Sequence, residues 1–272
     1  MTSETTSTAR EKREQDTCPL EKYNLNFKSL PTSPERALQL VSPHLDKSAT
    51  RLLDFGCGNG VVSLMLVDNV KYFTGTDLSP EMLAAASKNG LPDLRVVDGH
   101  DLQSHLQERG EVGLYDVVFS NLVLHWTSRD PEQVLRGINS ALKPGGVFVA
   151  QFVGNVSSPE IFAALANAME RRGFARKRWD GFYMPDAEEY KEMLESCGFT
   201  VDVMENRFEP MIFANGIDSH FDTFVRKRLD MVSEDVKDEI LEEMRNELRL
   251  VCYRNGKWQS IVNYLTFRAF KN

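Results

Sequence analysis

The sequence is poor in the residues that staple, span or grip. Its four cysteines (Cys18, Cys57, Cys197 and Cys252) are scattered, with no CxxC pair. That excludes a disulfide framework and a zinc ribbon, and fits a reduced protein of the cytoplasm. The five histidines (His44, His100, His105, His125 and His220) show no ligand pairing either, so no metal is expected. No run approaches the ~20 apolar residues of a spanning helix. The opening "MTSETTSTAREKREQD" has no apolar stretch of the signal-peptide kind, and residues 1–17 read as a disordered tail. Basic charge is also scarce, with 32 Lys and Arg against 40 Asp and Glu. Nucleic acid and anionic membranes are therefore unsuitable partners, because counterion release needs a basic face. A small acidic substrate is still possible, since a pocket can be locally basic on an acidic protein.

What is present is an orderly punctuation. "SPE" at Ser33, Ser79 and Ser158 and "DPE" at Asp130 each precede a helix-like pattern. Ser or Asp caps free N–H groups, Pro fits the first helical position and Glu suits the positive end. A fifth start, "DAEEYKEMLESCGF", has Asp186 and Glu189 at capping-box spacing and sets Tyr190, Met193, Leu194 and Cys197 on one face. Between these lie β-rich runs: "RLLDF", "KYFTGTD", "LRVVDG", "YDVVFSN" and "GGVFVAQFV". Continuous apolar strands alternating with helices over residues 33–153 imply a doubly wound, mostly parallel α/β sheet. Beyond it, "FTVDVMENRFEPMIF" and "WQSIVNYLTFRAF" read as two long antiparallel strands. The helical excursion between them, residues 214–256, places Val236, Ile240, Met244, Leu248 and Val251 on one stripe, and suggests a lid.

Three glycines punctuate "RLLDFGCGNGVVSLMLV". Gly56, Gly58 and Gly60 fall where "RLLDF" ends and "VVSLMLV" reads as a helix, the place where doubly wound sheets bind ligands. The pattern is GxGxG rather than the GxGxxG of dinucleotide folds, with Val61 at the last position. Asp77, 23 residues after Asp54, ends the second strand. An acid there can take both hydroxyls of a ribose, with Leu78 and Met82 offering an apolar face to a purine. Ser120 and Asn121 close the fourth strand, followed by His125 and Trp126. His125 has two readings, a proton acceptor or nucleophile-orienting group on one side and a locally bonded pocket-shaping residue on the other. Trp126 reads as a pocket wall or as core, its place after the strand favouring the wall.

"LLDFGCGNG", "GTDLSPEML", "YDVVFSNLVLHW" and "LKPGGVFV" together resemble the four ordered motifs of class I S-adenosylmethionine-dependent methyltransferases, over about residues 48–153. The resemblance implies a seven-stranded Rossmann-like sheet, a helical insertion before the last strand, and S-adenosylmethionine as cofactor. It implies that Asp54, Gly56 and Gly58, with Cys57 between them, surround the methionine part, and that Asp77 binds the ribose. Ser120 and Asn121 would face the methionine moiety. The family acid near the adenine amino group is displaced here, in "RVVDGHDL": either Asp101 takes the contact or His100 and backbone do. The chain then divides into the tail 1–17 and one domain, 18–272, with 51–153 the cofactor core and 155–185 plus 208–256 a substrate cap.

"FYMPDAEEYKEMLESCGFTVD" and "RNGKWQSIVNYLTFRAF" further resemble the trans-aconitate methyltransferase branch, which methylates carboxylates of small acids. Arg171, Arg172, Arg176, Lys177 and Arg178, beside Trp179, Phe182 and Tyr183, could grip such an acid, Arg pairing a carboxylate in two parallel bonds. Their alternative is a solvated helix end. Arg207, Arg226, Lys227, Arg228 and Arg254 carry the same two readings. Asn121, Trp126 and Tyr183 are the expected substrate contacts and His125 the expected catalytic group. The function expected is methyl transfer to a small organic acid. The alternatives are a phenol, amine or carrier-bound acyl acceptor, or a protein with this fold and no methyl transfer. No pattern assigns an oligomeric state, and a monomer is the default.

Overall fold

A computed structural model describes residues 34–175 and 183–272. The expected tail 1–17, the Ser33 cap, Cys18 and the aromatic–basic stretch 176–182 lie outside the described residues.

The strands are β1 (Arg51–Phe55), β2 (Tyr72–Asp77), β3 (Leu94–Val96), β4 (Tyr115–Asn121), β5 (Leu142–Val153), β6 (Phe199–Ile212), β7 (Tyr253–Arg254) and β8 (Lys257–Lys271). Seven form one sheet in the order β3-β2-β1-β4-β5-β8-β6. β1 to β5 pair in parallel, and β8 runs antiparallel to both β5 and β6. The addition to the seven expected strands is β7, joined to β8 through Asn255 and Gly256. Both of these residues have positive φ, 52° and 76°, as a two-residue Asn-Gly hairpin turn requires.

Helices cover both faces: α1 (Glu35–Val41), α2 (Pro80–Lys88), α3 (Leu102–Arg109), α4 (Pro131–Ala141), α5 (Pro159–Arg171), α6 (Ala187–Ser196), α7 (Gly216–His220) and α8 (Glu234–Cys252). Alternation within the strands sorts the core. Leu52, Val117, Phe119, Val147 and Val149 pack toward α1, whereas Leu53, Phe55, Val118, Phe148, Ala150 and Phe152 pack with α3, α4 and α6. Capping follows the sequence in three places: Ser79, Asp130 and Asp186 accept from the amides of Met82, Gln133 and Glu189. Ser158 does not cap; it sits at φ 45° and donates its own amide to Ile261.

Two local expectations are corrected. "VVSLMLV" is not an α-helix but two 3-10 turns, Ser63–Met65 and Val67–Asn69. Val61, Leu64 and Met65 are exposed there, so the segment has no apolar stripe to stabilise a helix. In α8, Val251 is 60% exposed; Leu241 and Cys252 join Ile240, Met244 and Leu248 in the buried face. That face packs on α5, α7 and the outer ends of β6 and β8. The resulting second core, which includes Phe213, Phe221 and Tyr264, lies against Leu122 and Val153 at the strand ends.

Candidate active site

The C-terminal ends of β1, β2, β3 and β4 surround an open cleft of about 1120 Å³, solvent included. Its glycine loop is tied to β2: the amides of Gly56 and Cys57 both donate to the Thr76 carbonyl, at 2.8 and 2.9 Å. All three loop glycines have positive φ, but for different ends. A Cβ on Gly56 or Gly60 would strike Val123 or Leu91, at 2.3 Å in each case. A Cβ on Gly58 would meet nothing within 4 Å and would stand in the cleft.

Two carboxylates face this space. Asp77 accepts the Gly58 amide on Oδ2 at 2.9 Å and the Ser79 amide on Oδ1 at 2.8 Å. Burial raises its pKa, against those amide bonds. Asp54 is buried at the end of β1 and accepts the Ser63 hydroxyl at 2.6 Å. Burial pushes its carboxyl up to about 7, opposed by Ser63 and reinforced by the negative charge of Asp77. A neighbouring acceptor, Asn121 Oδ1, is buried without a hydrogen-bond partner among the described residues.

Gly56, Cys57, Leu78, Met82, His100 and Trp126 also line the cleft. Four of the expected residues are not on its wall. Asp101 is exposed. Ser120 is buried and spends its hydroxyl on the Phe55 carbonyl at 2.9 Å, joining β4 to β1. Tyr183 donates its hydroxyl to Met193 Sδ and its amide to the His125 carbonyl. His125 is buried beside Trp126, with Nδ1 accepting the Val153 amide at 3.5 Å. Burial drives this imidazole down to about 3, so it is neutral at physiological pH and carries its proton on Nε2.

Sequence reasoning passed over Asp98 as a cleft residue. It accepts the His100 amide and Nδ1 and pairs with Arg129 at 3.0 Å. Burial opposes its ionisation, yet His100 and Arg129 hold its carboxyl below the usual range. Its position after β3, capping a 3-10 turn, was the available signal. Trp126 extends from the cleft wall to the helical segment between β6 and β7: its ring stacks on Phe224, centroids 6.4 Å apart at 28°. Phe224 belongs to a π-helical turn, Phe221–Val225.

The expected basic grip is mostly engaged elsewhere. Arg171 and Arg172 pair with Glu243 and join α5 to α8. Arg226 pairs with Glu234 and Asp238. Arg207 differs, because it lies over the sheet: its Nη2 donates to Gln151 Oε1 at 3.4 Å, and its Nε pairs with Glu209 at 2.7 Å.

A family model described as a methyltransferase domain matches residues 53–148. The uncharacterized methyltransferase C70.08c of Schizosaccharomyces pombe is 33% identical over 233 residues, covering 82% of this chain and 87% of that one. The chain belongs to the class I S-adenosylmethionine-dependent methyltransferases, and S-adenosylmethionine is its cofactor. It also resembles the trans-aconitate 2-methyltransferase of Mycobacterium tuberculosis (strain H37Ra), 29% identical over 217 residues and covering 77% and 78% of the two chains. In fold it is similar to the Bacillus subtilis YcgJ protein, with a TM-score of 0.57 at 16% identity over 87% of this chain and 98% of that one.

The cleft fits this cofactor on its own chemistry. Asp54, Asp77 and the partnerless Asn121 Oδ1 are all acceptors, which suits a ligand bearing an ammonium, a sulfonium and ribose hydroxyls. The open space over Gly58 lets backbone approach it closely.

Proposed function

We propose that the enzyme methylates a carboxylate of a small organic acid. The observation that carries this is His125. A buried imidazole with a pKa of about 3, its Nδ1 already accepting the Val153 amide, is a poor proton acceptor near neutrality. A phenol or ammonium acceptor would need such a base. A carboxylate, ionised at pH 7 with a reference pKa of ~4, does not. The trans-aconitate 2-methyltransferases among the relatives favour the same substrate class.

On this reading Asp77 takes the ribose hydroxyls, with Leu78 and Met82 against the adenine. Asp54 and Asn121 attract the ammonium of the methionine end, and the glycine loop gives it room. When bound, the cofactor supplies an electrophilic methyl whose loss leaves a neutral thioether. An ionised carboxylate acceptor would need no proton removed, so no side chain of the chain has to act as a base. The chain's task is then alignment and water exclusion, worth up to ~7–11 kcal/mol in favourable cases. Trp126, with Phe224 behind it, walls the reacting end. His125 acts through Trp126 and β5 as a positioning residue.

The test is incubation with methyl-labelled cofactor and a panel of mono-, di- and tricarboxylic acids including trans-aconitate, read by mass spectrometry. A labelled product hydrolysed by mild base supports the reading. Label only in a base-stable ether or amine, from any acceptor tried, overturns it.

A further inference from the structure

Beside the cofactor cleft, the sheet carries a polar row where covered sheet faces are ordinarily apolar. Asn121 of β4 pairs in register with Gln151 of β5, Gln151 with Thr266 of β8, and Thr266 with Glu205 of β6. Register partners share a face, so these side chains stand on one side of the sheet, with Phe119 and Asp54. The next row outward is Val153, Tyr264 and Arg207.

Three facts make this a built site. Gln151, Thr266 and Tyr264 are each at most 1% exposed, so the middle of the row is enclosed, while Glu205 and Arg207 at its β6 end reach solvent. Gln151 Oε1 accepts from both Thr266 Oγ1, at 3.2 Å, and Arg207 Nη2, which brings the guanidinium back across β8 toward β5. The Arg207 guanidinium stands 5.7 Å from the centre of the Tyr264 ring, and the Tyr264 hydroxyl is buried with no hydrogen-bond partner among the described residues. A buried hydroxyl left unbonded costs stability, and Tyr→Phe is an easy substitution, so the group stands there at a cost the fold alone does not explain.

We infer that Arg207 and Tyr264 form a second anion subsite, one that holds a carboxylate of the acceptor other than the one being methylated. Because the guanidinium reaches Gln151, which is the register partner of Asn121, the subsite lies about one strand spacing, ~5 Å, from the column at the methionine end. That span suits a compact di- or tricarboxylate with its acid groups a few carbons apart. It does not suit a long acyl chain or a monoacid. Glu209 Oε1, 2.7 Å from Arg207 Nε, leaves the guanidinium charge partly balanced when no substrate is bound. This inference rests on the carboxylate reading above.

The experiment compares the acid turned over fastest by the wild-type enzyme with its analogue carrying a carboxamide in place of the unmethylated carboxylate. Wild type, Tyr264→Phe, Arg207→Lys and Arg207→Met are measured with both, together with calorimetric binding of S-adenosylhomocysteine. The wild-type enzyme is expected to prefer the polyacid by about 10- to 100-fold in kcat/KM, as bonds to a charged group imply. Each variant is expected to lose most of that preference through KM, with S-adenosylhomocysteine affinity within about twofold of wild type. Tyr264→Phe is further expected to melt no lower than wild type, since no bond is lost in the free protein. If ester forms and the variants keep the full preference, the subsite is wrong although the carboxylate reading stands. If no acid in the panel is esterified, both fall. A Tyr264→Phe protein that melts well below wild type assigns the hydroxyl a structural role and also overturns the inference.

Discussion

The Gly58 amide donates to Asp77 Oδ2, while Asp77 Oδ1 takes the amide of Ser79. One acid thereby fixes the middle of the glycine loop and the start of α2, with lone pairs left toward the cleft. Asp77→Ala removes both ties and the proposed ribose contacts, each charge-assisted bond being worth about 1.5–3 kcal/mol. Cofactor affinity should fall at least 100-fold by calorimetry. Unchanged affinity would remove Asp77 from the site.

The loop glycines should separate stability from binding. Gly58→Ala has free space for its Cβ and accepts a left-handed conformation at a cost of about 1–2 kcal/mol, yet its methyl enters the cleft. It should fold, with a melting point within several degrees of wild type, and bind S-adenosylhomocysteine at least tenfold more weakly. Gly60→Ala also pushes the end of the buried Leu91 side chain and crowds Ala86, and should melt lower than Gly58→Ala. The reverse ranking in thermal melts would contradict the assignment.

Asp54 makes binding depend on pH. Its carboxyl titrates near 7 in the free protein, and a bound ammonium favours the ionised form, so binding near neutrality releases a proton. S-adenosylhomocysteine affinity should be full above pH 7 and decline below it, by up to about tenfold per unit. Calorimetry in buffers of different ionisation heat reads the released proton directly, and Asp54→Asn should abolish the release.

The same group sets a stability trend of opposite sign. In the unfolded chain the carboxyl ionises near 3.8, in the fold near 7. Between those values the unfolded state holds fewer protons, so the free protein loses stability as pH rises from about 4 to 7. Asp54→Asn keeps an acceptor for Ser63 and escapes the burial of charge. It should melt several degrees above wild type at pH 8, and the gap should close at pH 4.

His125 stays neutral across the working range, its titration lying near 3. With both substrates saturating, kcat should show no ionisation between pH 6 and 9 that His125→Asn removes. That variant should keep at least a tenth of wild-type turnover. Loss of a thousandfold with cofactor binding intact would instead make His125 a required proton acceptor.

Local patterns were readable wherever the determinants are local. "RLLDF" and "YDVVFSN" are β1 and β4 to the residue, because both are apolar runs bounded by turns. The caps at Ser79, Asp130 and Asp186 follow from a side chain three residues from its partner. "VVSLMLV" misled because apolar content without a buried side does not make a helix. In the cleft, Asp54, Asp77 and the glycines come from chain neighbours of β1 and β2. The row through Gln151, Thr266, Tyr264 and Arg207 does not. It exists through β5–β8 and β6–β8 registers that join residues more than fifty positions apart, and no window of sequence displays that pairing. The same distance hid the fate of the basic residues: Arg171 and Arg172 meet Glu243 only after α8 docks.

The place of β8 also bears on how the molecule is made. It slots between β5 and β6, so during synthesis β5 emerges long before the strand that covers its outer edge, and β6 waits alone until residue 257 and beyond are out. For that interval two long strands present unpaired backbone, the arrangement most prone to join a neighbouring chain. The closing step is therefore an insertion rather than an addition. Sequence changes in β8 should reveal themselves first as lower soluble yield from the ribosome, before any change in the finished enzyme's turnover.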